Sequence, residues 1–416
     1  MSSSLDIRQP EWLKNAPALP DGLPKRWARL WDQGWALLHN SSRPPLDVLD
    51  DIWISVGTGY FMPVFGHWDI VHIVHDLLAY DVDLAASQIL LVIKTLRDPD
   101  GQLPAALREY QTEDGSRHIV PELDFTCPPL WPIGAWSVFL RTNDLDFLRV
   151  AYNAAVKSIR WYQRNRQLPI GLFWFKDSIG GWGWETGMDV SPRWDDRDRR
   201  TKPRALIDTS CQMCMCYETL AAMAEKLGLP TVAEQWRRCF AELGELIRAL
   251  LWHETDGIFY DRDMETGTWS RVKAVSSFWP LTAGIASAEQ AKKLAGHLSD
   301  PKSFFTTLPV PSVAIDDPTF ETDCWRGPTW LSQTYWVMRG LHRCGYHDLA
   351  KDIGTRALDG AAKVLDEQGT ILEFYPPQGG AISELRRKGK PTGPARDYIG
   401  HNPIHAIAMN TIEDWR

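Results

Sequence analysis

Helical periodicity dominates this chain, and its helices come in pairs. Apolar residues recur at helical spacing over 26–39, 69–80, 83–97, 130–141, 145–164, 206–226, 231–252, 288–298, 329–344, 347–365 and 403–412. Short polar turns separate the partners. Asn143-Asp144 precedes 145–164, Gly228-Leu-Pro230 precedes 231–252, and Gly345-Tyr-His347 precedes 347–365. The second helix of a pair repeatedly ends at a glycine followed by apolar residues, as at Gly101, Gly171, Gly257 and Gly369. Glycine suits the left-handed turn past a helix end. Strand signals are few and short. Helix hairpins repeating in this way stack as an open solenoid or close into a toroid. In a closed ring the segments after the helices gather at one rim. Trp174, Tyr260, Glu373 and Tyr375 would then share a cleft with the loop 182–195. No linker or low-complexity segment divides the chain, so 1–416 reads as one catalytic-size unit with 1–25 as an N-terminal extension.

Composition narrows the function classes. A length of 416 residues exceeds the usual single-core domain, which agrees with one large closed architecture. Net charge is −8 and no basic run occurs, which argues against nucleic acid or an anionic membrane as partner. The first residues lack a signal-type apolar stretch, and no run of about 18 apolar residues exists to span a bilayer. Seven cysteines is an odd number, and Cys211, Cys214 and Cys216 crowd one predicted helix. A reducing cytoplasm is the expectation, with those thiols buried rather than metal-bound, because a second zinc-type ligand pair is missing. His72 and His75, or His401 and His405, share helix faces without an acidic partner, so no metal is expected. Phosphate loops, dinucleotide fingerprints and serine-nucleophile elbows are absent. The 21 tryptophans outnumber the 11 tyrosines and 14 phenylalanines, and a long aromatic-lined cleft would account for them.

One loop concentrates the chemistry. Residues 182–195 read Trp-Gly-Trp-Glu-Thr-Gly-Met-Asp-Val-Ser-Pro-Arg-Trp-Asp. Its glycines and Pro192 forbid a regular helix. Glu185, Asp189 and Arg193 lie among Trp182, Trp184 and Trp194. Indole faces with a few fixed polar groups suit a sugar. A carboxyl group against indole has its charged form desolvated, which suits it to general acid work. Glycoside hydrolysis needs a second, ionised carboxylate across the anomeric carbon. Glu373, in Leu-Glu-Phe-Tyr-Pro-Pro-Gln-Gly, is the best candidate. Three further patches could hold the sugar. Arg326 lies between Trp325 and Trp330, beside Gly327-Pro328, and could clamp hydroxyls or start a helix. Tyr60, Trp68 and Asp69 precede or open an early helix, where Asp69 could hold sugar hydroxyls or cap the helix. The stretch from Phe125 to Trp131 is rigid and aromatic. Arg386, Arg387 and Lys388, among glycines, form a mobile basic loop that could favour an anionic aglycone.

These stretches resemble glycoside hydrolase family 63 and its trehalase relatives. Trp184 to Trp194 is similar to the acid-bearing motif, Trp325-Arg-Gly-Pro-Thr-Trp330 to the family's Trp-Arg-Gly-Pro-x-Trp stretch, Trp68-Asp69 to the aromatic entry of an early helix, and Leu372 to Gly379 to the base-bearing segment. The four occur in order over roughly residues 50–400. The resemblance implies an all-α (α/α)6 toroid with long rim loops, an inverting mechanism and no cofactor. It assigns Asp189 as acid and Glu373 as base, with Tyr60, Trp68, Asp69, Trp182, Arg193, Trp325, Arg326, Trp330 and Tyr375 around a small soluble glucoside or mannoside. The length resembles the bacterial mannosylglycerate and glucosylglycerate branch, from which Cys127 and His401 depart. Two other classes remain open. A helical-toroid sugar isomerase or epimerase would need two histidines in the cavity, and a carbohydrate-binding toroid would need no catalytic pair.

Overall fold

The computed structural model describes residues 14–60, 62–179, 184–198 and 200–412. Twelve α-helices are found there: α1 (Ala28–Asn40), α2 (His67–Leu77), α3 (Val82–Thr95), α4 (Trp131–Thr142), α5 (Leu145–Asn165), α6 (Ile207–Lys226), α7 (Pro230–Leu250), α8 (Trp279–Thr282), α9 (Ala288–Ser299), α10 (Leu331–Arg343), α11 (His347–Gln368) and α12 (Ile404–Ile412). Local signals set several boundaries. Asp144 accepts from the amides of Asp146 and Phe147 and starts α5, while Ser287 and Gln290 make a reciprocal capping box at α9. Asn143 ends α4 in the left-handed conformation, and Gly369 does the same for α11.

Two kinds of helix alternate. α2, α6 and α10 are buried along nearly their whole length, as suits helices with apolar residues around their circumference. α5, α7 and α11 bury one stripe and present charge on the other side. The buried set is joined in sequence: α2 packs on α4, α4 on α6, α6 on α8, α8 on α10, α10 on α12, and α12 returns to α2. The contact between the first and last parts of the chain is specific. His405 of α12 stacks on Trp35 of α1 with ring centroids 3.6 Å apart. Its Nδ1 lies 2.7 Å from Asp76 of α2. A side chain on Gly34 would meet that ring, with Cβ 2.7 Å from it. Arg26 and Trp27 both reach Asp359 of α11, so the N-terminal segment is tied to the body.

Strands are minor but not negligible. A three-stranded antiparallel sheet pairs Val64–Gly66 with Ala106–Gln111, and the latter with Arg117–Pro121. It feeds directly into α2. The tryptophans correct one expectation. Trp27, Trp31, Trp35, Trp53, Trp131, Trp194, Trp279 and Trp336 are fully buried core residues, so a large share of the indole fills the interior rather than lining a cleft. All seven cysteines are free thiols, with Cys211, Cys214 and Cys216 buried on α6. Among the described residues no helix is long and apolar enough to cross a membrane, and no cluster of His, Cys, Asp and Glu could hold a metal.

Candidate active site

The site is built from segments that follow or precede the buried helices. They surround a cavity of about 450 Å³. Asp189 and Glu373 both line it, although 184 residues separate them (373 − 189). Tyr60, Trp68, Asp69, Trp325 and Trp330 line the same space. Arg193, Arg326 and Tyr375 do not, and Trp182 lies outside the described residues. Of the other rim expectations, Trp174 lines a separate cavity, and Tyr260 is buried with its hydroxyl on Asp256.

The floor is the first turn of α2. Asp69 does not cap the helix, whose N-cap is Gly66. Its carboxylate instead sits between two glycines. A Cβ on Gly66 would lie 2.2 Å from Asp69 Oδ2, and one on Gly400 would lie 2.1 Å from Oδ1. Only glycine admits the carboxylate at both positions. The Tyr398 hydroxyl donates to Oδ1 at 2.7 Å. Burial pushes Asp69 up to about 6; the Tyr398 hydrogen bond opposes that, and the nearby charge of Asp189 adds to it. His401 Nε2 stands 3.6 Å from Asp69. Burial pulls His401 down to about 3, so it is neutral at physiological pH. It is the sole histidine on the cavity wall among the described residues.

An aromatic wall stands beside this floor. Trp325 and Trp330 stack with centroids 3.9 Å apart and planes 6° from parallel. The Trp330 indole N–H donates to the Cys324 carbonyl at 3.0 Å, which fixes the ring. Gly187 comes over Trp68 so closely that a Cβ would lie 2.9 Å from the indole. Cys127 also lines the cavity, so both departures from the family pattern face the space a ligand would occupy.

The loop bearing Asp189 is held by buried ion pairs rather than by regular structure. Arg193 is fully enclosed and donates to Asp208 on α6 and to Asp261, two hydrogen bonds to each. Expected to touch sugar, it instead anchors the loop. Glu185 is also structural. It is fully buried and accepts from Arg166 at 2.6 and 2.7 Å and from the amides of Thr126 and Lys176. Arg326, read as a possible sugar clamp, grips the loop from outside. It meets Asp195 with two bonds of 2.8 Å and the Val190 carbonyl at 3.2 Å. Val190, directly after Asp189, has φ of +57°, a strained conformation for a β-branched residue.

Glu373 follows the left-handed end of α11. It accepts from Arg387 Nε at 2.6 Å, Arg387 Nη2 at 2.9 Å and the Ala395 amide at 3.1 Å. Tyr375 points into the core with its hydroxyl on Asn402. Its backbone exchanges two hydrogen bonds with Thr329, which joins the segment of Glu373 to that of Trp330. So Tyr375 positions the wall instead of lining it.

Sequence reasoning missed the partners of the two carboxylates. The Arg387–Lys390 turn places Lys388 and Gly389 at positive φ. Lys388 Nζ donates to Asp189 Oδ2, and Arg387 covers Glu373 and lies over the Tyr60 ring. Burial works against the Lys388 charge, but Asp189 outweighs it and raises the ammonium above its ordinary value. Arg386 instead pairs with Glu321, away from the cavity. The basic, glycine-flanked stretch was visible in the sequence as a loop over the cleft, but which carboxylate each cation meets was not.

Comparisons with known proteins give the family. The profile of the mannosylglycerate hydrolase MGH1-like glycoside hydrolase domain matches residues 63–399. The mannosylglycerate hydrolase MGH1 of Selaginella moellendorffii is 27% identical over 253 residues, covering 47% of this chain and 50% of that protein. A mannosylglycerate hydrolase of Rubrobacter radiotolerans is 27% identical over 172 residues, covering 40% of this chain and 37% of that protein. The chain thus spans half or less of the length of these relatives. Among solved structures, the GH63 mannosylglycerate hydrolase of Thermus thermophilus in complex with glucose has a TM-score of 0.70 at 21% identity, covering 92% of this chain and 99% of that one. A neutral trehalase from Saccharomyces cerevisiae has a TM-score of 0.68 at 17% identity, covering 87% and 74%. These two similarities speak for the fold. With four-fifths of its length inside the matched profile, the chain belongs to the MGH1-like family of glycoside hydrolases.

Proposed function

We propose that this protein hydrolyses the O-glycosidic bond of a small glucoside or mannoside of the glycosyl-glycerate type, with inversion. The carrying observation is that Asp189 and Glu373, from distant segments, line one cavity with the stacked Trp325–Trp330 face and Asp69. Asp189 protonates the glycosidic oxygen as the C1–O bond breaks. Glu373 takes a proton from a water that attacks the opposite face of the sugar. Arg387 and the Ala395 amide hold the Glu373 carboxylate in place. Trp68, Trp325 and Trp330 offer apolar faces to the ring, and Asp69 and Tyr60 offer polar groups to its hydroxyls. The closed succession of buried helices, α2 through α12 and back to α2, supports an (α/α)6 toroid formed by a single catalytic domain, with α1, α3, α5, α7 and α11 among its outer members. An isomerase or epimerase of similar architecture is disfavoured, since among the described residues His401 is the one histidine on the wall and it is neutral.

The test is a screen of glucosyl- and mannosyl-glycerates, glucosylglycerol and trehalose, with detection of the released sugar. Turnover of at least one, lost in Asp189→Asn, is expected. Inactivity on all of them, or full activity of Asp189→Asn on a natural glycoside, would overturn the assignment.

A further inference from the structure

The two carboxylates are held in unlike ways. Glu373 has three donors, two of them from one guanidinium and one from the backbone. Asp189 has one partner among the described residues, the Lys388 ammonium. While that ammonium donates to Oδ2, that oxygen is engaged as an acceptor and cannot carry the proton an acid must give. The acid role assigned above therefore requires Lys388 to let go.

The backbone under Lys388 is fixed. The Arg386 carbonyl accepts from the Cys324 amide, the Arg386 amide donates to Thr322, and the Gly389 amide donates to Asp323 at 2.7 Å. The four-carbon stem of Lys388 is the movable part. Among the described residues three cations line the cavity: Arg108, Arg387 and Lys388. Arg108 is matched by Glu122 and Arg387 by Glu373. When Asp189 takes up a proton, Lys388, whose side chain is 40% exposed, is the one of the three that loses its counter-charge. A neutral leaving group cannot restore it. A leaving group that carries a carboxylate can.

We propose that Lys388 is a specificity-determining positioning residue that couples an anionic leaving group to the protonation of Asp189. The inference rests on the reading of Asp189 as the acid. On binding, the leaving group's carboxylate draws the ammonium away from Asp189 Oδ2. Asp189 then holds a proton taken from solvent and donates it to the glycosidic oxygen as the C1–O bond breaks. The leaving group departs as the hydroxy acid, and the proton from the attacking water goes to Glu373. Because linkage is reciprocal, anion binding must itself cause proton uptake.

Other titratable groups stand near this pair, among them Arg387, which acts on Lys388, and Asp323, which accepts from the Gly389 amide. His401 stays neutral and burial holds the Cys324 thiol in its protonated form. Glu373 remains paired with Arg387. Asp69, raised to about 6, could also take up a proton, so an Asp189 variant is needed as control.

Two measurements test the coupling. The first uses a matched pair, a 2-O-glycosyl-D-glycerate and the same sugar on glycerol. The wild-type protein should show a kcat at least about tenfold higher on the acidic member. In Lys388→Met the two kcat values should converge within about threefold, the acidic one falling and the neutral one rising. A rise in KM for the acidic substrate with both kcat values unchanged would reduce Lys388 to a static binding cation. An equal loss on both substrates would make it structural. Either result overturns the proposal while leaving the hydrolase reading intact. The second measurement needs no turnover. Calorimetric titration of the wild-type protein with D-glycerate near pH 7, in two buffers of different ionisation enthalpy, should report net proton uptake. Lys388→Met and Asp189→Asn should not show it. Absence of binding, binding without uptake, or uptake that persists in Asp189→Asn would contradict the coupling.

Discussion

At the scale of single residues, Asp69 carries a measurable signature. Its folded value of about 6 lies above the ordinary 3.8. The native state therefore holds this proton more tightly than the unfolded chain does. Stability from this group rises as pH falls from about 6 toward 3.8, and above pH 6 the buried charge costs on the order of 3 kcal/mol. Asp69→Asn removes the titration. Relative to wild type it should be more stable at pH 7.5 than at pH 4.5 by about 2 kcal/mol in urea unfolding. The comparison across pH cancels any pH-independent misfit of the amide between Gly66 and Gly400. A difference that does not change with pH would contradict the burial argument. The two proposed catalytic residues should differ as well. Asp189→Asn and Glu373→Gln should each lower turnover on the order of 10²–10⁴-fold. Only Glu373→Gln should also lose about 1–3 kcal/mol of stability, because it leaves the enclosed Arg387 without a counter-ion. Lys388, 40% exposed, can turn to water when Asp189 is replaced. Residue identity was readable here because the motif stretches carry their chemistry locally. Direction was not. Arg193, Arg326 and Tyr375 have the same aromatic neighbours in sequence as the wall residues, yet their side chains point into the core or behind the loop.

At the scale of elements, the loop 184–198 shows how irregular backbone is kept in place. Arg193 ties it to α6 and to Asp261, while Arg326 holds the Val190 carbonyl beside Asp189. The two arginines should separate in their effects. Arg193→Met leaves Asp208 and Asp261 buried without a cation and should lose about 3–5 kcal/mol by denaturant unfolding. Arg326→Gln removes a partly exposed pair with Asp195, so stability should change by less than about 1 kcal/mol. Its kcat should fall about tenfold with little change in KM, because Asp189 is no longer held. Equal stability losses in both variants would refute this division. The helices themselves were legible, since α1 to α7 and α9 to α12 lie within a few residues of the periodic segments. Periodicity and caps are local. The sheet pairing Val64–Gly66 with Ala106–Gln111 was missed because its partners lie some forty residues apart in the chain. The four-residue α8 is too short to show a period.

At the scale of the whole molecule, ring closure was an open alternative in the sequence. What bears on it physically is the contact of α12 with α1 and α2, far apart in the chain, which no local pattern encodes. The abundance of tryptophan was misread for a related reason. Large helices packed side by side leave wide gaps, and indole fills them, so Trp31, Trp131, Trp279 and Trp336 belong to the interior. The cavity needs only a few such rings. The central claim is that Asp189 and Glu373 act from opposite faces of the sugar as acid and base, without a covalent intermediate. The most direct measurement is the anomeric form of the sugar first released, followed by proton NMR within minutes of adding enzyme to an α-linked glycosyl-glycerate, before mutarotation. The account predicts that the β-anomer appears first and the α-anomer grows in later. Initial release of the α-anomer would mean that the bond is broken with retention, and would contradict it.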